Sequence, residues 1–535
     1  MQATLVLYNG DLHTMDAATP RAQALAIAGN RVLATGSDQE MRALLASDAK
    51  SLDLQGRSVV PGFTDSHLHF MSYGLSLMLI DLAEVPTLEQ ALARVAARAQ
   101  TTPSGQWLIG RGWDHSLWSG GDFPTRHALD RVAPEQPVWL RRKCGHIGWA
   151  SSRALELAGI TAETPDPPGG AIDHDPDTGQ PTGILKETAM DLVADLFDDP
   201  SIDEAANAIR VATANARKYG LVGVHTMEGA AAFRGLQKLR SAGELGIRVL
   251  IQIPESNLDA AIQAGLQSGF GDDRLRIGGV KVFADGSLGG RTAYMLEPFE
   301  NEPDNFGIAV SGGQHLKHVI ATASRAGIAA FVHAIGDRAN RNVLDAVEDS
   351  RRAGEGLRLR HRIEHAQILH PDDIPRLAKL GVVASMQPIH ATQDIMLADA
   401  LWGARCAGAY AFRSLLDSGA ALAFGSDSPV EDLNVMKGIH AAVTRRRASG
   451  YPGPEGWHPK QCISVAEAVY AFTAGAAYAS GEEAIRGTLS PGKLADLVVL
   501  AQDIFAIDPM SIQDTEVIGT MFDGDFVYTN GDLGA

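Results

Sequence analysis

The chain has 535 residues, of which 45% are hydrophobic and 21% charged, values typical of a globular protein with room for more than one domain. Its formal net charge of -18 argues against nucleic acid or an anionic membrane as a partner, because no extended basic segment offsets the acidic residues. No apolar run approaches the ~20 residues that a membrane span requires.

Both ends of the chain are typical of short strands separated by turns. Residues 1–58 contain LVLYNG and ALAIAGNRVLATG, and residues 485–535 contain GTLSPGKLADLVVL and FDGDFVYTNG. We predict one small β-sandwich built from both termini. The N-terminal segment lacks the basic and apolar regions of a secretory leader, and the cysteines at 144, 406 and 462 are widely spaced. These features favour a reducing, cytoplasmic location.

Between the termini, in residues 59–484, apolar β-rich runs alternate with amphipathic stretches, a pattern that predicts a parallel sheet with crossover helices. Eight runs are candidate strands: SVVPGFTDSHLH, GLVGVHTME, IRVLIQIPE, IGGVKVFADG, IAAFVHAIGD, RHRIEHAQ, GVVASMQP and ALAFGSDSP. Their nearly continuous apolar character is expected when both faces of a strand are covered. We predict an α/β fold, a (β/α)8 TIM-like barrel with its active site at the C-terminal ends of the strands.

A long insertion, at about 81–217, follows the first predicted strand. It contains the aromatic, glycine-rich GRGWDHSLWSGGDFPTR and the proline-rich ETPDPPGGAIDHDPDTGQPTG. Loops of this kind above a barrel mouth commonly shape a substrate pocket or act as a lid.

The end of the first strand carries His67 and His69 as an H-x-H pair. Side chains on a strand alternate between faces, so both imidazoles point to the same side, as a metal chelate requires. The alternative is a pair of hydrogen-bonded polar residues at a strand terminus. His333 and His365 end the fifth and sixth strands. Either alone is typical of a core histidine, but their equivalent positions favour one shared site.

Asp427, in FGSDSP, ends the eighth strand, where its carboxylate can bind a metal ion and accept a proton from activated water. The alternative is a side chain that caps the following turn. Four histidines, one carboxylate and a bridging group suit two divalent metal ions, most simply zinc.

Lys281, in GGVKVFADG, lies between two valines, where a charged amine is costly to bury without a partner. Burial and nearby metal ions lower the pKa of such an amine, which can then capture carbon dioxide as a carbamate and bridge the metals. The alternatives are a charged Lys281 neutralised by Asp285 or by a carboxylate across the barrel, and Glu187 of the insertion as the bridging carboxylate.

The chain resembles the metal-dependent amidohydrolase superfamily, specifically its amidohydrolase-3 branch, which includes N-substituted formamide deformylases and YtcJ-like proteins. The resemblance covers nearly the whole length and is carried, in order, by PGFTDSHLHF, GRGWDHSLW, LRRKCGHIGWASSRALELAGI, PTGILKE, GGVKVFADGSLGGRTA, HAIGDRAN, RIEHAQ, FGSDSPV and GTLSPGKLADLVVL. It implies a binuclear metal centre on a barrel with a β-sandwich, and the family leads us to expect a homodimer. The implied ligands are His67, His69 and Asp427 for one metal, His333 and His365 for the other, and a carboxylated Lys281 as the bridge.

Three residues of the insertion, Trp113, Asp114 and His146, fall in motifs similar to those of the branch, and we predict that they contact substrate. Trp113 has the alternative of packing within the insertion. His146 can donate a hydrogen bond to a developing oxyanion or to backbone carbonyls.

The sequence therefore predicts a hydrolase that cleaves the linear amide C–N bond of a small molecule, an N-formyl or other N-acyl amine, with metal-activated water. The aromatic insertion indicates an apolar substituent on that substrate. Three alternatives remain: a hydrolase of cyclic amides, esters or carbamates; a mononuclear deaminase, which has no use for Lys281; and a catalytically silent scaffold or regulatory protein.

Overall fold

An eight-stranded parallel sheet organises the larger of two compact units in the computed structural model, which describes residues 2–119, 121–143, 146–197, 199–531 and 533. This unit comprises the residues before 75 and after 201. The strands are neighbours in chain order, and each pairs in parallel with the next. They are β1 (Phe63–Leu68), β2 (Leu221–Thr226), β3 (Arg248–Pro254), β4 (Leu275–Phe283), β5 (Ala329–Ala334), β6 (Arg362–His365), β7 (Val383–Met386) and β8 (Leu422–Phe424).

The two ends of this sheet meet just beyond β1 and β8. The N–H of Asp427 donates to the carbonyl of His67 at 2.7 Å, and the N–H of His69 donates to the carbonyl of Ser428 at 2.8 Å. A side chain at Gly425 would not fit this seam, because its Cβ would lie 2.5 Å from the His67 nitrogen. The sheet thus closes into the predicted (β/α)8 barrel, and the C-terminal ends of its strands face one mouth.

Helices cover the outside of the barrel, which explains why the strands are apolar on both faces. The helix Asp337–Arg352 buries Val343, Leu344 and Val347 on one face, and it carries Arg351 in its last turn, where a cation is favourable. The other α-helices of the unit are Asp38–Arg42, Ile202–Lys218, Ala230–Ser241, Leu258–Gln263, Gly313–Arg325, Ile374–Leu380, Pro388–Gln393, Ile395–Trp402, Phe412–Asp417, Val435–Thr444, Val465–Phe472 and Ala474–Ser480. The helix Phe70–Met78 begins in this unit and ends in the second.

Both termini build two further sheets in the same unit. Leu25 and Leu497 belong to one core that draws side chains from both ends of the chain, which confirms the predicted β-sandwich. The four-stranded sheet has the order Arg31–Gly36, Ala24–Ala28, Ala3–Tyr8 and Leu45–Asp53. The six-stranded sheet has the order Asp525–Thr529, Val517–Phe522, Leu497–Leu500, Ser58–Pro61, Asp11–His13 and Arg21–Ala22.

The first predicted strand, SVVPGFTDSHLH, is in fact two strands. Ser58–Pro61 pairs with Leu497–Leu500 in the terminal sheet, whereas β1 belongs to the barrel. Gly62 joins them, and its N–H donates to the carbonyl of Asp496 at 2.9 Å. A Cβ at Gly62 would lie 2.5 Å from a methyl group of Val222, so the crossing point has no room for a side chain.

The second compact unit, residues 75–201, is inserted after the first barrel strand and has its own apolar cores. Its sheet has the order Gly170–His174, Pro181–Glu187, Ile147–Ala150, Val138–Arg142, Leu108–Trp113 and Ile80–Asp81. Its α-helices are Leu88–Ala99, Arg126–Val132, Ser152–Leu157 and Asp191–Ala194. The predicted insertion, 81–217, extends further, but Ile209 and Ala212 of the helix Ile202–Lys218 pack into the barrel core. Within the described ranges, no helix has the length and apolar character of a membrane span.

A buried ion pair joins the barrel to the terminal sheets. Arg248 opens β3, and its side chain donates from Nε to Asp496 at 2.7 Å and from Nη2 to Asp523 at 2.6 Å. Burial alone would lower the pKa of the guanidinium, but the two carboxylates raise it above its usual value. A buried charge is tolerated only with such partners. Loss of Arg248 therefore removes the cation that pairs with Asp496 and leaves Asp523 paired with Arg274.

Replacing Arg248 with Ala is expected to lower the free energy of unfolding by about 3–5 kcal/mol, because two acceptors lose a buried cation. Urea unfolding followed by circular dichroism measures the change. The control is Arg210→Ala, which breaks an ion pair with Glu244 whose two side chains are both more than two-fifths exposed. That change should cost less than about 1 kcal/mol. Equal losses in the two variants would contradict the proposed link.

Candidate metal centre

Six polar side chains meet around one cavity of about 440 Å³ at the mouth of the barrel. They come from the C-terminal ends of β1, β4, β5, β6 and β8, the positions where barrel enzymes carry their active sites. The structure thus brings together every predicted metal ligand. The six residues are His67, His69, Lys281, His333, His365 and Asp427.

The two histidines of the H-x-H pair converge on one carboxylate. The Nε2 atoms of His67 and His69 each lie 3.5 Å from Oδ1 of Asp427. Potential ligand atoms of His67, His365 and Asp427 all lie within 4.8 Å of one another. Imidazole nitrogens and a carboxylate oxygen at this spacing form a donor set that suits a divalent metal ion such as zinc.

Two of these residues, at or just beyond the ends of their strands, have backbone angles in the left-handed region. The φ angle is +76° at His365 and +59° at Asp427. For side chains other than glycine such angles are uncommon, cost on the order of 1–3 kcal/mol each, and cluster at functional sites. Here they turn both side chains into the cavity.

One nitrogen of each buried ring is already occupied, and this leaves the other nitrogen for a metal. Nδ1 of His67 bonds to Oε2 of Glu364 at 2.6 Å, and Nδ1 of His365 bonds to Oε1 of Gln387 at 2.9 Å. An acceptor at Nδ1 requires a proton there, so the lone pair is on Nε2. His333 has the opposite arrangement, because its Nε2 donates to the carbonyl of Gly286 at 2.9 Å and leaves Nδ1 free.

The imidazoles are held in the neutral form that binds metal. Burial, together with the charge of Lys281, lowers the pKa of His67 to about 4 and that of His333 to about 3. Burial and the neighbouring rings also hold the pKa of His365 well below its usual value. Three neutral rings, each with a lone pair on its other nitrogen, therefore fit the predicted metal centre.

Lys281 is a buried amine. Its side chain has no hydrogen-bond or ion-pair partner among the described residues, and its Nζ lies 4.9 Å from the centre of the Phe283 ring. Burial lowers its pKa to about 8, although the charges of Glu364 and Asp427 act in the opposite direction. An amine of this pKa is partly neutral near neutral pH, and the neutral amine is the form that reacts with carbon dioxide.

The alternative partner of Lys281 is engaged elsewhere. Asp285 accepts hydrogen bonds from the N–H groups of Tyr294 at 2.8 Å, Ile335 at 3.0 Å and Gly336 at 2.8 Å. These contacts make Asp285 a structural acceptor that holds the loops after β4 and β5. The ion pair between Lys281 and Asp285 that the sequence allowed is not formed.

The segment after β7 adds a residue that sequence reasoning missed. His390 lies between two carboxylates, with Nε2 3.4 Å from Asp427 and Nδ1 3.3 Å from Glu431. Burial would lower the pKa of His390, but the hydrogen bonds to both carboxylates raise it to about 9. Hydrogen bonds from His390 and His69 in turn hold the pKa of Asp427 below its usual range despite burial. The only sequence signal was a histidine four residues beyond the end of β7, in SMQPIH.

Glu364 was also missed, although it precedes His365 directly. Besides its bond to His67, it lies 2.8 Å from Nε of Arg362, and both side chains are completely buried. Burial would raise the pKa of Glu364, but the charge of Arg362 and the hydrogen bond from His67 hold it below its usual range. A charged pair inside a barrel is visible in sequence only as R-x-E within an apolar strand.

The three residues predicted to contact substrate lie in the inserted unit. Trp113 is fully buried in that unit's core, and its indole N–H donates to the carbonyl of Leu140 at 2.9 Å, as the packing alternative requires. Asp114 caps a short helix and accepts from Arg142 at 2.6 Å.

His146, the third of these residues, is exposed. Its Nδ1 lies 2.9 Å from Oε2 of Glu187, the rival bridging carboxylate, and both side chains are more than half exposed. Glu187 therefore has a partner within its own unit.

Comparison with known proteins agrees with this geometry. The sequence profile of the amidohydrolase family matches residues 50–528. The chain belongs to this family. It is 30% identical over 544 residues to the N-substituted formamide deformylase of Arthrobacter pascens, with 98% of each chain covered. It is 35% identical over 513 residues to the protein LONG AFTER FAR-RED 3 of Arabidopsis thaliana, covering 93% of this chain and 87% of the relative.

The crystal structure of an uncharacterized metal-dependent hydrolase from Pyrococcus furiosus is similar to this amidohydrolase, with a TM-score of 0.78 and 30% identity. The alignment covers 94% of this chain and 99% of that one. The protein is therefore a hydrolase of the metal-dependent amidohydrolase superfamily, and the predicted branch is confirmed.

Replacing Glu364 with Gln is expected to weaken metal binding by about 10- to 100-fold, because the charged acceptor that orients His67 and strengthens its ligating nitrogen is lost. Competition with a chelator measures the affinity. Glu482→Gln is the matched control, since Glu482 is another buried carboxylate, bonded to Arg486 at 2.7 Å and absent from the cavity wall. Both variants should lose stability, but only Glu364→Gln should lose affinity. Wild-type affinity in Glu364→Gln would refute the orienting role.

Proposed function

We propose that this amidohydrolase cleaves the C–N bond of a linear N-acyl amine, with N-formyl amines as the preferred class. The observation that carries the proposal is the cavity itself, where neutral histidines, an ionised carboxylate and an unpaired buried amine face one another. The deformylase of Arthrobacter pascens, similar over nearly its whole length, supports the choice of substrate class. The products would be a carboxylic acid and a free amine.

Two divalent ions, zinc by preference, would be held by the side chains at the cavity floor. His67, His69 and Asp427 would hold one ion and His333 and His365 the other, with a carbamate on Lys281 as the bridge. When bound, such ions polarise the scissile carbonyl and lower the pKa of water. The carbamate, made from carbon dioxide and the Lys281 amine, would supply two oxygens and offset the repulsion between the cations.

Asp427 is the group that moves the proton. Its pKa is held low, so at neutral pH it is ionised and can accept the proton that the attacking water loses. The same carboxyl then returns the proton to the nitrogen of the departing amine. His390 holds the other carboxylate oxygen, since its Nε2 lies 3.4 Å from Oδ2, and thereby keeps Asp427 directed into the cavity.

The remaining cavity wall favours an apolar substituent. Phe283, Leu288, Ile335 and Val430 line it beside the histidines, and Phe283 and Val430 are each more than two-fifths exposed. An exposed aromatic ring next to the reacting groups can bind an aryl or alkyl group of a substrate by apolar contact. The predicted substrate contacts in the insertion, the lid role, the cytoplasmic location and the homodimer stay predictions.

The function is tested by measuring hydrolysis, as substrate loss and acid formation, across a panel of N-formyl, N-acetyl and longer N-acyl amines, with cyclic amides, esters and carbamates beside them. Asp427→Asn is expected to lower turnover on the best substrate by about 100-fold or more, because its amide cannot accept the proton. Single-turnover hydrolysis at the wild-type rate in this variant would exclude the base role. If only the cyclic amides or the esters were hydrolysed, that class would replace linear amides as the proposed substrates. Turnover of no compound by the metal-loaded enzyme would favour the scaffold alternative.

Lys281→Ala should lose the bridge, and with it most activity and one bound metal. Formate or propionate, added with metal, should restore part of the rate, because a small carboxylate can occupy the vacated space. The control is Lys317→Ala, which removes an exposed lysine paired with Asp349 and should leave activity and metal content unchanged. Metal content by mass spectrometry gives the second readout. Undiminished activity and metal content in unsupplemented Lys281→Ala would exclude the carbamate, and one metal per wild-type chain would favour a mononuclear deaminase.

A further inference from the structure

A second group of metal-ligand side chains lies outside the barrel cavity. An oxygen of Asp399, the thiol sulfur of Cys406 and a ring nitrogen of His458 all lie within 4.8 Å of one another. None of the three lines the active-site cavity. They come from three segments: the helix Ile395–Trp402 after β7, the 3-10 turn that follows it, and the loop after the helix Val435–Thr444.

Within the part of the chain that the structure describes, one ring nitrogen of this group has no hydrogen-bond partner, and the buried thiol bonds to another member of the group. Nε2 of His458 is buried and has no hydrogen-bond partner among the described residues. A buried polar atom without a partner costs about 1–3 kcal/mol and calls for an explanation such as an ion. Cys406 is a free, 1% exposed thiol whose pKa is raised to about 12 by burial and by its contact with Asp399.

The group is held in place by neighbours that do not themselves ligate. The indole N–H of Trp457 donates to Oδ1 of Asp399 at 2.9 Å, which fixes the carboxylate. Arg445 donates from Nε to the carbonyl of Trp457 at 2.6 Å and from Nη1 to the carbonyl of Tyr410 at 3.0 Å. Arg445 thus ties the loop that carries His458 to the segment that follows Cys406. Ligands fixed by outer contacts of this kind are typical of metal sites.

From this geometry we infer that Asp399, Cys406 and His458 form a zinc site separate from the catalytic centre. Thiolate sulfur, imidazole nitrogen and carboxylate oxygen are the three ligand types that zinc prefers, and its tetrahedral geometry leaves a fourth position for water. Asp399 is exposed, so water can reach that position. Burial and the charge of Arg445 lower the pKa of His458, which favours the neutral form that ligates. The thiol proton of Cys406 leaves to solvent as zinc binds, so affinity rises with pH.

A superficially similar group, Asp11, His13 and Asp503, does not support such a site. Nη1 of Arg21 lies 3.2 Å from Nδ1 of His13, and the same guanidinium bonds to Asp11. A cation already neutralises this group, and the ring nitrogen that faces Asp503 at 3.3 Å carries the proton. These residues form an ion-pair network and need no metal.

The zinc would be structural and would brace one wall of the catalytic barrel. Asp394, one residue before the helix that carries Asp399, lines the active-site cavity and accepts a hydrogen bond from Tyr410 at 2.5 Å. Zinc would join that helix to the loop after the helix Val435–Thr444 by bonds stronger than the present Cys406–Asp399 contact. Its loss should lower thermal stability without removing the catalytic metals.

Cobalt(II) added to the metal-free protein tests the site, because cobalt bound to a thiolate gives a near-ultraviolet charge-transfer band. The proposed catalytic ligands include no cysteine, so this band does not depend on the catalytic centre or on any activity. Wild type should show the band, and Cys406→Ser should lose it together with one equivalent of bound zinc. Asp399→Asn, a change at an exposed residue, should weaken the site by at least about tenfold while the protein stays folded.

The matched control is Cys462→Ser, which removes a partly buried cysteine outside the group and should keep the band and the zinc. The same is expected for Cys144→Ser, whose residue lies outside the described ranges. A wild-type protein without the band, or a band that survives in both Cys406→Ser and Asp399→Asn, would overturn the inference. Either result would leave the proposed hydrolysis untouched.

Discussion

The hydrogen bond between Glu364 and His67, at 2.6 Å inside a closed barrel, is the contact on which the catalytic arrangement depends. An isolated carboxylate could not remain charged there. Arg362 stabilises the charge of Glu364 by pairing with it. Arg362 also donates to the carbonyl of Ser66 at 2.5 Å and to the hydroxyl of Ser385 at 2.7 Å. One buried cation therefore links β1, β6 and β7. Through Glu364 it also fixes the orientation of the His67 ring.

Much of this could be predicted from sequence because the signals were local and repeated. Eight apolar runs separated by amphipathic segments indicate a barrel, since strands covered on both faces cannot alternate in polarity. Once a barrel is assumed, the ends of its strands must share one mouth, and His333 or Asp427 becomes a ligand candidate by position alone. The family resemblance then assigned roles that periodicity could not.

What the sequence could not reveal arises where the backbone breaks a pattern. Alternation places Glu364 and His365 on opposite faces of β6, yet the left-handed φ at His365 directs both side chains into the barrel. The division of the first predicted strand at Gly62 was hidden for a related reason, because both halves are buried and apolar. The place of Trp113, which is fully buried, could not be predicted from its aromatic motif, because such a motif indicates a core as readily as a binding surface.

The inserted unit, residues 75–201, folds around apolar cores of its own, whereas all six ligand residues belong to the other unit. This division has an evolutionary consequence. Substitutions, or exchange of the whole segment between homologues, can accumulate there without altering the ligand spacing at the barrel mouth. A lineage can therefore vary the inserted unit while purifying selection acts on the strands that carry the six residues.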